Sequence, residues 1–155
     1  MKCRGLAVVS LGMIFVFLAA RDLVALNVFK KTFDEVYVKE SGDEAFKERF
    51  KKNGCNVCHV KGRKRDVVNA YGMGLAKLIP GNAKQRIANA KGVSSEAKDA
   101  EEATLINELK AALKKVEGTK LPTGETYGEM LESHQLPSGE AAGSIAGEKT
   151  EEGSP

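Results

Sequence analysis

The chain has 155 residues, 42% hydrophobic but only 6% aromatic, with no tryptophan, which bounds it to one ordinary domain with a thin core of its own. A formal net charge of +3, with no basic run interleaved with stacking aromatics, excludes a nucleic-acid groove.

Lys2 and Arg4 precede an apolar run from Leu6 to Ala20, and Arg21-Asp22-Leu23-Val24-Ala25 follows. A charged start, a short apolar middle and small residues at the end predict a secretory signal over residues 1–25, cleaved after Ala25 or, second, after Ala20. The 15-residue run is shorter than the roughly 20 residues of a spanning helix, so an uncleaved anchor is the weaker alternative. Both readings put the remainder outside the cytoplasm, in the periplasm or an equivalent exported location. Cys3 leaves with the signal, and two cysteines remain.

Residues 27–41, with Phe29, Phe33, Val36 and Tyr37, read as an approach segment laid across the core. Ser41 and Glu44 fit a capping box for a helix from about 42 to 53, which Gly54 would end in a left-handed turn. A basic loop, Lys61-Gly62-Arg63-Lys64-Arg65, comes next. Asp66 is then placed to cap a second helix to about Ile79, where the interior Gly72 and Gly74 would admit something bulky. Asn82 and Gln85 open a short helix that ends before Gly92.

The clearest periodicity spans residues 95–116, where Ala97, Ala100, Ala103, Ile106, Leu109, Leu113 and Val116 form one stripe. Thr126 and Glu129 open a last short helix carrying Tyr127, Met130 and Leu131. Residues 137–155 cannot bury enough apolar area to offset ordering and read as a disordered tail. No run of β-branched residues predicts a sheet.

The informative stretch is Gly54-Cys55-Asn56-Val57-Cys58-His59. C-x-x-C-H is the attachment signature of c-type haem: two thiols three apart share one face of a helical turn, and the next imidazole can turn toward the metal. A buried cofactor would also make good the thin core. Two other readings compete. A redox C-x-x-C belongs at a helix N-terminus after a strand, whereas this one follows a helix. Structural zinc needs four ligands, and the other histidine is the distant His134.

On these residues, residues 42–116, with the helix before the motif, Asn69-Ala70-Tyr71-Gly72 in a middle helix and a long last helix, resemble a small single-haem cytochrome c. The resemblance implies an all-α bundle of about four to five short helices around one covalent haem, over residues 26–136, with first and last helices crossing at the haem edge. It also implies Cys55 and Cys58 as attachment residues and His59 as an axial iron ligand. The family's second axial ligand is a methionine between the middle and last helices, and the corresponding residues 80–101 contain none. Met73, 14 residues after His59, Met130 and His134 are the candidates, with an open site as the alternative.

Residues 44–91 carry twelve basic side chains against Glu44, Glu48 and Asp66, a rim suited to steering an acidic redox partner. The chain is therefore expected to be an electron carrier, not an enzyme. The alternatives are a five-coordinate haem protein that binds a small ligand or reduces peroxide, and a haem-free thiol-disulfide protein.

Overall fold

The computed structural model describes residues 24–138 and 141–144, and the protein is mostly helical within them. Helix α1, Val24–Phe33, runs into a π-helical turn, Asp34–Val38, closed by the Lys39 amide donating to the Asp34 carbonyl at 2.9 Å. The expected approach segment is thus helical, with Val28, Thr32, Phe33 and Val38 buried. The predicted signal lies outside the described residues except for Val24 and Ala25, which open α1.

Helix α2, Glu44–Asn53, begins two residues later than the Ser41 cap implied. Asp43 is the cap, its Oδ1 accepting from the Phe46 amide at 2.9 Å, while Ser41 Oγ accepts from the Asp43 amide. Asp43 wins because it faces the free amides of the first turn, whereas Ser41 lies a turn upstream. Gly54 has φ −55, so α2 does not stop in a left-handed turn but tightens into a 3₁₀ turn, Gly54–Val57.

Strand β1, Val67–Asn69, follows the basic loop and leads into α3, Ala70–Leu78. The cap of α3 is Asn69 rather than Asp66, with Asn69 Oδ1 accepting from the Gly72 amide at 2.9 Å. Helix α4, Ala83–Val93, is capped by Asn82 as expected but continues through Gly92. Helix α5, Ser95–Glu117, buries Leu105, Leu109, Ala112, Leu113 and Val116, so the stripe begins at Leu105 and the upstream alanines lie outside it. Helix α6, Tyr127–Glu132, opens on a complete capping box between Thr126 and Glu129. Six α-helices are present among the described residues.

Helix α5 is the axis of the core, packed by α4, α1, α3 and α6. Helix α1 packs on α5, whereas α2, the helix expected to cross it, packs chiefly on the π-helical turn and the 3₁₀ turn. Phe33 links the layers, stacked on Phe50 at 5.3 Å and edge-on to Tyr71 at 6.3 Å. A two-stranded antiparallel sheet is also present, against expectation. Strand β2, Ala141–Ser144, lies within the predicted tail and pairs Val67 with Ser144 and Val68 with Gly143. Pro137 is fully buried, and the tail beyond Ser138 otherwise lies outside the described residues.

Candidate functional site

The 3₁₀ turn after α2 carries Cys55 and leads to Cys58 and His59, with the His59 amide donating to the Cys55 carbonyl at 3.1 Å. Both thiols are free. They are not equivalent: Cys55 is exposed, while Cys58 packs against the core, where burial and the adjacent Cys55 push its pKa up to about 12. A thiol held this high is protonated at neutral pH.

The turn is held from behind by Asn69. Its Nδ2 donates to the Val57 carbonyl at 2.9 Å and to the Asn56 carbonyl at 3.3 Å, while its backbone amide donates to the Cys58 carbonyl at 3.0 Å. One buried side chain therefore caps α3 and fixes the cysteine-bearing segment. Gly72 lets the two meet. A Cβ there would collide with the Cys58 carbonyl oxygen and stand 3.0 Å from its carbonyl carbon and 3.1 Å from its Cα. The bulky neighbour expected at the α3 glycines is, at Gly72, the backbone of the cysteine turn. At Gly74 it is only Val116, at 3.5 Å.

His59 is bridged to Val68 of β1, and its Nδ1 is buried without a hydrogen-bond partner. Burial, reinforced by the Arg65 charge and opposed by the Val67 backbone, holds its pKa below the ordinary imidazole value. The ring is neutral at pH 7, the form that ligates metals.

His59 also lines a cleft of about 570 Å³ with Arg49, Asn53, Asn56, Lys61 and His134. That volume falls in the roughly 300–1,000 Å³ range of small-molecule and cofactor sites. The donor set of two free thiols and one imidazole is the one a covalent haem would use, whereas the cleft beside it is lined by polar side chains and Leu136 and includes neither thiol. Among the described residues, no three or more His, Cys, Asp or Glu side chains gather as a zinc cage requires.

Of the candidates for the opposite ligand, Met73 is half-buried on α3 and Met130 packs against the core from α6. Neither lines the cleft; His134 does. The role of Asn69 escaped sequence reasoning, although an asparagine immediately before a helix was a legible capping signal.

The basic loop is closed by the Val60 amide on the Val67 carbonyl at 3.2 Å, Arg63 on Val60 and Val67 on Lys64. Of its four cations, Lys61 lines the cleft with His59 and Arg65 acts on His59 through its charge. No described helix is long and apolar enough to cross a membrane. Comparison with family models, with curated proteins and with solved structures gave no match to this chain.

Proposed function

We propose that the protein is a c-type cytochrome: one haem, linked through Cys55 and Cys58 with His59 as axial ligand, carries single electrons outside the cytoplasm. The observation that carries this is the C-x-x-C-H turn opening beside a cleft lined by its own neutral, partly orphaned imidazole. When bound, the haem iron supplies the chemistry by cycling between ferrous and ferric states.

The chain's own residues set the conditions. Asn69 fixes the cysteine segment, Gly72 brings α3 onto it, and apolar packing buries Val57 and backs Cys58. Lys61 lines the cleft and Arg63, Lys64 and Arg65 are exposed on the same loop, a positive charge suited to an acidic redox partner and a salt-sensitive encounter. The pair follows helix α2 on a 3₁₀ turn and does not open a helix N-terminus, which disfavours the thiol-disulfide alternative.

The full chain produced in a bacterial host with haem-attachment machinery should have the mass of the polypeptide plus one haem, and a haemochrome spectrum that survives acid-acetone extraction. The double variant Cys55→Ser, Cys58→Ser should return the bare mass without colour. Wild-type protein from the same host at its bare mass, with no Soret band, overturns the proposal. The same mass reports whether the signal is removed.

A further inference from the structure

We infer that a second cleft, lined by α1, the π-helical turn and α2, is a binding site for a soluble polyanion, a small molecule carrying several phosphate groups in series. No residue of the cysteine turn lines it, so the site stands or falls independently of the haem reading.

Three observations carry the assignment. The first is convergence of charge. The cleft, of about 560 Å³, is lined by Lys30 and Lys31 of α1, Lys39 after the π-helical turn, and Lys47 and Lys51 of α2, with Asp34 as the one acidic side chain among the described residues that line it. Lys47 and Lys51 are four apart and so share one face of α2. Three stretches of chain thus bring their lysines to one concavity, where like charges repel and a bound anion relieves the repulsion. The second is incomplete neutralisation. Lys47 pairs with Glu44 at 2.9 Å and Lys51 with Glu48 at 3.4 Å, each along its own helix and with a carboxylate that does not line the cleft. Exposed pairs of this kind are worth little, so an incoming phosphate competes with them readily. Lys31 and Lys39 form no ion pair among the described residues.

The third observation is the floor. Val38 and Phe50 line the cleft and are only 1% and 4% exposed, so the lysines stand over apolar packing, where charge is screened less than on an open surface. Lys30 is already placed there, its Nζ over the Phe50 ring at 5.7 Å from the centroid. With no arginine in the lining, the cleft offers point charges with rotatable donors and no planar fork, which suits phosphate oxygens spread along a chain better than a single carboxylate. Its concavity and volume fit a small molecule, whereas a membrane surface would meet only its rim. The competing explanation is a set of solvated lysines that complement helix C-termini. It accounts for Lys51, in the last turn of α2, but not for Lys47 in mid-helix, nor for Lys30 and Lys31, since α1 runs on into the π-helical turn.

The test is isothermal titration of the full chain with sodium tripolyphosphate at about 0.15 M salt. Wild type should bind one tripolyphosphate per chain, more weakly as salt rises, and orthophosphate far less tightly. The double variant Lys31→Gln, Lys39→Gln breaks no ion pair among the described residues and should weaken tripolyphosphate binding about tenfold or more. Asp34→Asn removes the one carboxylate in the lining and should tighten it. The double variant Lys61→Gln, Lys64→Gln, in the basic loop, should leave it unchanged. Circular dichroism at the helical bands separates loss of binding from loss of fold. Absence of tripolyphosphate binding by wild type, an equal loss in the loop variant and the cleft variant, or binding to vesicles of anionic phospholipid without binding of tripolyphosphate, each overturns the assignment. A chain recovered without haem that still binds tripolyphosphate through these lysines keeps this site while the haem reading falls.

Discussion

Gly72→Ala is expected to cost about 3 kcal/mol, at the upper end of what one added methyl costs in a packed interior. The methyl would fall on the Cys58 carbonyl group, which is backbone and cannot swing aside as a side-chain tip would. That carbonyl already accepts from the Asn69 amide, and Asn69 holds Val57 and Asn56, so relief by moving the turn breaks several hydrogen bonds together. Thermal unfolding should fall by roughly 10–20 °C for a domain of this size. The control is Gly74→Ala, one turn position away, whose methyl meets Val116 at ordinary contact distance. It should gain up to about 1 kcal/mol from helix propensity and reduced chain entropy. Equal effects at the two glycines would remove the close approach from the account of the site.

Arg86→Ala should destabilise the fold by about 2–3 kcal/mol, the range for losing charge-assisted hydrogen bonds that are only partly exposed. Arg86 leaves α4 and meets α5 twice, its Nε donating to Glu101 at 2.6 Å and its two terminal nitrogens donating to Glu108 at 2.7 and 3.1 Å. A fourth bond reaches the Pro80 carbonyl at 2.8 Å, tying in the turn before α4. Only Ser94 separates the two helices, so this fork sets how they lie together. Alanine leaves two carboxylates facing the same space. Lysine keeps the charge but not the planar fork, and should recover less than half of the loss. The readout is the urea midpoint at constant slope; a shift worth less than about 0.5 kcal/mol would mean the fork is ornamental to stability.

Local signals in the sequence located the elements that depend on local chemistry. Helix α6 follows from Thr126 and Glu129, whose reciprocal bonds are both present, and α4 follows from Asn82. Helix α5 is legible from its periodicity, but Leu105 and Ile106 are adjacent and apolar, and spacing alone favours Ile106 where the fold buries Leu105. Helix α1 was obscured because the end of the signal pattern overlaps its start at Val24 and Ala25. The sheet was illegible for a physical reason: Ala141-Ala-Gly-Ser144 is built of residues depleted in strands, and its backbone pairing with Val67–Asn69 is made across about 75 residues.

The site divides in the same way. Cys55, Cys58 and His59 form a contiguous motif whose spacing carries its own meaning. The cleft does not: it needs the end of α6 to return to α2, and nothing near His134 in the sequence announces Asp43 or Phe46 as its neighbours. Asn69 lies between the two cases, visible as a cap but not as the brace of the cysteine turn.

The pairing of β2 with β1 has a consequence for how the chain can be trimmed. Strand β1 is bonded on one flank to the segment that bears Cys58 and Val60, and on the other to residues 141–144. A chain stopped after residue 140 would leave that second flank as a bare row of amides and carbonyls, a template for another molecule. Shortened protein is therefore expected to self-associate in light scattering where the full chain stays monodisperse, and monodisperse behaviour of both would show that the outer flank needs no cover.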